Sequence, residues 1–158
     1  MRKKQSINPK KQERTEWEDK FLEKIKCVHK RNLSTVVKKI LKRVDTVKYG
    51  LLSRSKKYGV PCEVTTEQLR ELIYHNYGTP CKYCGKILKL DNMVVDHIIP
   101  ISRQGSSNID NLQVICKTSN GVKGSLSEDN LNLLLEWLDT VSEDLRKDIL
   151  TRLARGVV

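Results

Sequence analysis

Residues 94–123 read VVDHIIPISRQGSSNIDNLQVICKTSNGVK, and this stretch decides how the rest of the chain is interpreted. Two apolar runs flank a polar loop, and a short polar segment follows the second run. The residues whose side chains could take part in catalysis or binding are Asp96, His97, Asn111, Asn120 and Lys123. Carboxylate and amide oxygens suit a hard divalent cation, and a histidine can take a proton from water near neutral pH. The stretch therefore supplies candidate metal ligands, a candidate general base and a candidate phosphate contact.

Asp96 and His97 are neighbours at the end of the first apolar run. Adjacent side chains of a regular strand point to opposite sides, so the two can act together only at an irregular strand end. Pro100, three residues later, is consistent with a strand that stops here.

The net charge of +11 is unevenly distributed along the chain. Residues 1–60 hold 19 Lys or Arg and 6 Asp or Glu, a balance of +13, whereas residues 61–158 have a balance of −2. This asymmetry predicts a basic helical arm, 1–60, that binds a polyanion, joined to a near-neutral domain, 61–158. The alternative is a solvated helical surface that binds nothing. Candidate phosphate contacts in the arm are Lys38, Lys39, Lys42, Arg43, Arg54, Lys56 and Lys57.

Apolar residues recur at helical spacing in two parts of the arm. The first part runs from Trp17 to Val28, and the second from Leu33 to Leu51, with Gly59 as a stop. Thr65 and Gln68 form a capping-box pattern that predicts a third helix. Further helices are expected after two serine N-caps, Ser127 and Ser142.

Cysteine usage and hydropathy indicate an intracellular, cytoplasmic protein without a membrane segment. The five cysteines are an odd number, and Cys81, Cys84 and Cys116 have metal-like spacing beside residues 94–123, which favours reduced thiols. No apolar run approaches the length of a membrane helix, and no signal-peptide core follows the basic N-terminus.

The stretch and its flanks, about Cys81 to Leu138, resemble the HNH endonucleases, which have the ββα-metal fold. The matching parts are Cys81-x-x-Cys84, Asp96-His97-Ile-Ile-Pro100, Asn111-Leu112 and Cys116-x-x-Ser119-Asn120-x-x-Lys123. Several positions agree in order and spacing. The resemblance implies an α+β protein, mostly helical, with a small ββα-metal core.

The resemblance also implies an activity and a role for each residue. His97 would be the general base, Asp96 and Asn120 would hold one catalytic cation, Mg²⁺ or Mn²⁺, and Asn111 would orient the loop and the histidine. The substrate would be DNA, as a duplex, cut to leave 5′-phosphate and 3′-hydroxyl ends. A monomer would nick one strand and a homodimer could cut both. The size and layout resemble free-standing HNH enzymes of phages and mobile introns.

One position departs from the family pattern, because Ser119 stands where the fourth zinc cysteine would be. Structural zinc sites normally close with four Cys or His ligands. Either a three-cysteine site borrows a ligand such as Cys62 or His75, or zinc is lost and packing replaces it. The rival interpretation is a non-catalytic, zinc-dependent nucleic-acid-binding module with a vestigial nuclease motif.

Overall fold

The computed structural model describes residues 19, 20, 23 and 33–156. Residues 33–156 contain five α-helices, two short 3-10 helices (Ile101–Arg103 and Ile109–Asn111) and one two-stranded antiparallel sheet, so the predicted α+β fold is confirmed. In chain order the elements are α1 (Leu33–Tyr58), α2 (Thr66–Asn76), β1 (Met93–His97), β2 (Leu112–Cys116), α3 (Lys117–Lys123), α4 (Glu128–Leu138) and α5 (Glu143–Arg155). The helix expected from Trp17 to Val28 lies outside the described residues, apart from helical Asp19, Lys20 and Glu23.

The helix ends follow the local sequence signals. α1 stops at Tyr58 because Gly59 adopts a positive φ of 67°, which a glycine accepts without strain. Thr65 and Gln68 form the predicted capping box at the start of α2, each side chain bonding the other residue's backbone N–H. Ser127 caps α4 through its side chain, whereas Ser142 begins α5 without a side-chain cap.

The ββα core is formed by β1, β2 and α3. The register pairs Asp96 with Gln113 and His97 with Leu112, so β1 ends at His97 as the sequence predicts. All five residues of β2 are buried, so the core covers both faces of this strand. α3 follows β2 directly and contacts both strands of the hairpin.

α3 is fixed from its other side by α5. A Cβ atom on Gly121 would lie 2.6 Å from the carbonyl oxygen of Ala154, so the two helix backbones approach as closely as only glycine allows. This close packing holds the flanking residues Asn120 and Lys123 in place.

Residues Lys39–Val158 form one compact unit, and Met1–Lys38 are assigned to another. Within the larger unit, Ile40, Val44 and Leu51 of α1 are completely buried, so the apolar stripe of this helix joins the core. The contact boundary thus precedes the charge boundary near residue 60, and the division into an arm and a nuclease domain stays a prediction. No helix of the described residues is long and apolar enough to cross a membrane.

Candidate active site

His97 is the last residue of β1, and its imidazole is buried, with 6% of the residue exposed. Its Nε2 lies 2.8 Å from the hydroxyl of Ser107 in the loop between the strands. Burial lowers the pKa of His97 below its usual value, and the charges of Arg54 and Lys123 lower it further, while Asp96 acts in the opposite direction. The imidazole is therefore neutral at neutral pH, the state in which it can accept a proton.

Asp96 lies in a buried network of charges rather than facing open solvent. Its Oδ2 accepts a hydrogen bond of 3.1 Å from Gln113 Nε2 and lies 3.0 Å from the ammonium of Lys123. The same ammonium donates to the backbone carbonyl of His97 at 2.7 Å. Because only 1% of the Lys123 side chain is exposed, its ammonium interacts with Asp96 and with the end of β1 in this structure. The sequence had predicted a phosphate contact for Lys123, so these internal partners change the role we assign to it.

Asn111 organises the loop that follows His97. Its side-chain oxygen accepts from the N–H of Ile99, and its amide donates to the carbonyls of Ile99 and Ser106. Gly105 passes so close that a Cβ there would lie 1.9 Å from the Ile99 carbonyl oxygen. These bonds close the loop around the asparagine, as expected of a residue that shapes the backbone.

Asn120 lines a cavity of about 800 Å³ that also includes residues of α1 and β1. Val94 and Val95 of β1 also line it. Its charged lining residues are four of the predicted phosphate contacts and one acid: Lys39, Lys42, Arg43, Arg54 and Asp91. The cavity is therefore cationic and contains one of the two predicted metal ligands.

Three predicted contacts of the arm, Lys38, Lys56 and Lys57, do not line the cavity, and Arg43 has a second partner besides lining it. Lys56 and Lys57 are exposed and do not line this cavity, and Lys57 lies over the ring of Tyr58 at 5.6 Å. Lys38 is exposed and belongs to the smaller unit. Arg43 donates to the backbone carbonyl of Met93, so it ties α1 to β1.

Three residues of the site carried no sequence signal that we recognised. Gln113 could have been found by pairing the two apolar runs as a hairpin, since the register places it opposite Asp96. Ser107 and Ser55 are buried serines that bond each other at 2.6 Å, with Ser107 next to His97. Serines are common in loops and on helix surfaces, and nothing in the local pattern marks these two as buried.

The three motif cysteines come together in a separate cluster. The Sγ atoms of Cys81, Cys84 and Cys116 all lie within 4.8 Å of one another, a grouping that could hold a zinc ion. Ser119 completes the group, with its Oγ 3.5 Å from Cys81 Sγ and 3.3 Å from Cys116 Sγ. Burial alone would raise the pKa of Cys81, but hydrogen bonding with Ser119 and with backbone groups lowers it to about 7.

The residue that lies beside the three thiols at the fourth position of the pattern is Ser119. Within residues 33–156 the cluster includes neither Cys62 nor His75. His75 is instead paired with Glu71 on the exposed side of α2, at 3.2 Å. The oxygen of Ser119 is a weaker zinc ligand than a thiolate, although its position matches the missing cysteine.

Ser119→Cys is expected to increase zinc retention because it supplies a fourth thiol to three that are already within 4.8 Å of one another. The variant should keep one zinc ion per chain through dialysis against a mild chelator, measured by elemental analysis, and should melt at a higher temperature with zinc. Ser125→Cys, an exposed position beyond α3, is the matched control. Equal zinc content in the two variants would show that a fourth thiol at position 119 does not complete a zinc site.

The chain was compared with known proteins through family models, curated proteins and solved structures. The family model described as HNH endonuclease matches residues 81–126, which include the cysteine cluster, both strands and α3. The searches of curated proteins and of solved structures gave no significant match. HNH domains bind a divalent metal and act on nucleic acids, which agrees with the oxygen donors and the cationic cavity described above. Residues 81–126 are thus an HNH endonuclease domain, and the chain has a nuclease or nucleic-acid-binding role.

Proposed function

We propose that the protein is a metal-dependent endonuclease that hydrolyses DNA phosphodiester bonds, with His97 as the general base. The observation that carries this proposal is the cavity that joins Asn120 to the basic face of α1 beside β1. A binding module needs basic residues near nucleic acid, but it does not need a buried neutral histidine within range of the charge of one of them, Arg54. The neutral state of His97 follows from its burial and from the charge of Arg54, a residue of the cavity wall.

The residues present fit a hard divalent cation. Asp96 offers a carboxylate and Asn120 a side-chain amide oxygen, and both are the oxygen donors that Mg²⁺ and Mn²⁺ prefer. The cavity beside Asn120 has room for phosphate oxygens and water, which Mg²⁺ usually keeps as ligands. When bound, the cation would neutralise charge on the phosphate and on the departing 3′ oxygen.

The chain's own groups perform the other tasks. His97 takes the proton of the attacking water, because burial keeps its imidazole neutral and therefore able to accept one. Arg54 and Lys42 attract the phosphates of the bound strand into the cavity. Lys123 balances the charge of Asp96 and pins the end of β1 through the carbonyl of His97.

One active site cuts one strand, so a monomer should nick a duplex and a dimer could cut both strands. Cleavage between phosphorus and the 3′ oxygen leaves a 5′-phosphate and a 3′-hydroxyl. The substrate class is tested with end-labelled oligonucleotides of one sequence, as DNA duplex, single-stranded DNA and RNA, each with Mg²⁺ or Mn²⁺. The proposal predicts metal-dependent cleavage of the DNA duplex. Cleavage confined to RNA would contradict the proposed substrate.

Asp96→Asn and Asn120→Ala are each expected to weaken binding of Mn²⁺ by at least about tenfold, the size typical for loss of a group that only orients a ligand. We choose Asn at position 96 because it keeps a hydrogen-bond acceptor for Gln113 and Lys123, whereas Ala would leave a buried ammonium unpaired. Calorimetric titration of DNA-free protein measures the affinity. The control is Asp110→Asn, at an exposed position in the loop between β1 and β2. Unchanged affinity in both site variants would remove the metal assignment.

The cavity wall makes a separate prediction about charge. Lys42→Ala/Arg54→Ala and Lys56→Ala/Lys57→Ala each remove two positive charges from the same helix, but only the first pair lines the cavity. If both lost groups bind phosphates, the slope of log K against log salt should become less steep by about 1.8, at about 0.9 per contact. The cleavage rate at saturating DNA should also fall, because the phosphates near the reacting bond lose their partners.

The Lys56/Lys57 pair serves as the matched control. Removing these charges should change affinity only slightly, since both side chains lie outside the cavity lining. Fluorescence anisotropy over a range of salt concentrations measures both slopes. Equal effects of the two pairs would mean that the basic helix acts only through its overall charge.

A further inference from the structure

A chain of hydrogen bonds connects α1 to His97. Ser55 Oγ donates to Ser107 Oγ at 2.6 Å, and Ser107 Oγ lies 2.8 Å from His97 Nε2. All three residues are buried: Ser55 is 3% exposed, Ser107 is fully buried and His97 is 6% exposed. Ser55 belongs to α1, outside residues 81–126 that match the HNH family.

Contacts outside this chain of hydrogen bonds also hold both serines in place. The backbone N–H of Ser107 donates to the carbonyl of Pro61 at 2.8 Å, which fixes the loop against the segment that follows α1. α1 itself is anchored by Ile40, Val44 and Leu51 in the core. The serine hydroxyls are therefore placed by the packing of the fold and do not depend on a flexible side chain.

The direction of the bond to His97 decides what the histidine can do. A serine hydroxyl has one hydrogen and two lone pairs, so Ser107 Oγ can accept from Ser55 and from Nε2–H at the same time. That arrangement leaves Nδ1 without a proton and free to act as a base. If Ser107 instead donated to Nε2, the proton of the neutral ring would be on Nδ1, and neither nitrogen could accept another readily.

We propose that Ser55 and Ser107 are positioning residues that hold His97 as its Nε2–H tautomer, with Nδ1 as the proton acceptor. This inference rests on the proposed function, in which His97 is the general base. It makes α1 a part of the catalytic core through Ser55, in addition to its basic face. It also explains why two hydroxyls are buried beside the end of β1.

The tautomer can be read directly, without any cleavage assay. Two-bond ¹H–¹⁵N correlation spectra of ¹⁵N-labelled protein distinguish Nε2–H from Nδ1–H, and His97→Ala assigns the signal among the three histidines. We expect wild-type His97 as the Nε2–H tautomer at slightly alkaline pH. In Ser107→Ala the ring should become a mixture of tautomers. A wild-type His97 with its proton on Nδ1 overturns the proposal, whether or not the protein cleaves DNA.

Kinetics supply the second readout. Ser107→Ala should lower kcat about 10- to 100-fold, the range for partners that orient a functional histidine, with KM unchanged within about twofold. Ser55→Ala should lower kcat less, because His97 keeps its direct partner. The matched controls are Ser53→Ala, exposed on the same helix, and Ser102→Ala, exposed on the same loop.

The outcomes separate the two hypotheses. If wild type cleaves DNA and Ser107→Ala keeps full kcat with an unchanged tautomer, the positioning role is wrong while the nuclease proposal stands. If wild type never cleaves but His97 has Nε2–H and loses it in Ser107→Ala, the hydrogen-bond chain stands while the nuclease proposal fails. If Ser107→Ala does not fold, the wild-type tautomer and the Ser55→Ala rate still decide the question.

Discussion

His97→Ala is expected to lower the single-turnover rate of DNA cleavage by about 10²–10⁴-fold, the usual contribution of a general base. The physical reason is that His97 is buried at the end of β1, where its lowered pKa keeps the imidazole neutral and able to accept a proton. DNA affinity should stay close to that of the wild type, because the basic residues of the cavity wall are untouched. Rapid-quench measurements at saturating DNA give the rate, and anisotropy gives the affinity.

The matched control for this variant is His75→Ala. His75 is on the exposed side of α2, with 70% of its side chain accessible, and pairs with Glu71. Its removal should leave the rate unchanged. If His97→Ala cleaves DNA at a rate near that of the wild type, His97 is not the general base.

Lys123→Met is expected to destabilise the protein by about 3–5 kcal/mol, the usual cost of removing one partner of a buried ion pair. The side chain is 1% exposed, and its loss would leave the Asp96 carboxylate without its cation and the His97 carbonyl without a donor. For a chain of this size each kcal/mol lowers Tm by about 2–4 °C, so a decrease of roughly 10 °C should be visible by calorimetry.

Lys117→Met, at the exposed start of α3, is the control and should melt like the wild type. Asp96→Asn in the Lys123→Met background should recover part of the loss, because the uncompensated charge is then removed. If Lys123→Met melts within a degree or two of the wild type, the ammonium is not a structural counter-ion. It would then be available for the phosphate contact that the sequence first indicated.

The parts of the structure that the sequence predicted are governed by local rules. Gly59 ends α1 because a positive φ follows the last helical turn, and Thr65 begins α2 because its hydroxyl accepts from the Gln68 N–H. The hairpin and α3 are predicted by the resemblance to the HNH motif, because the order Asp96, Asn111, Asn120 goes with one backbone arrangement in that family. The match of the HNH family model to residues 81–126 confirms the HNH domain in this part of the chain.

The remaining features depend on contacts between residues that are distant in the chain. Ser55 and Ser107 are 52 positions apart, and their burial is visible only once α1 is packed against the loop between the strands. The position of Lys123 could not be predicted either, because the motif gives its place on α3 but not the direction of its side chain. Charge composition indicated an arm ending near residue 60, whereas the apolar stripe of α1 packs into the core from Ile40 onward.

The central claim is that this HNH domain catalyses cleavage and does not merely bind nucleic acid. The measurement that tests it most directly is conversion of supercoiled plasmid to the open-circular form by wild-type protein with Mg²⁺ or Mn²⁺, alongside identical reactions with a chelator and with His97→Ala. We predict metal-dependent nicking by the wild type, with nicks that DNA ligase can reseal because they carry a 5′-phosphate and a 3′-hydroxyl. Plasmid that stays supercoiled under saturating binding with either metal, or equal nicking by His97→Ala, would contradict the claim and favour the binding module.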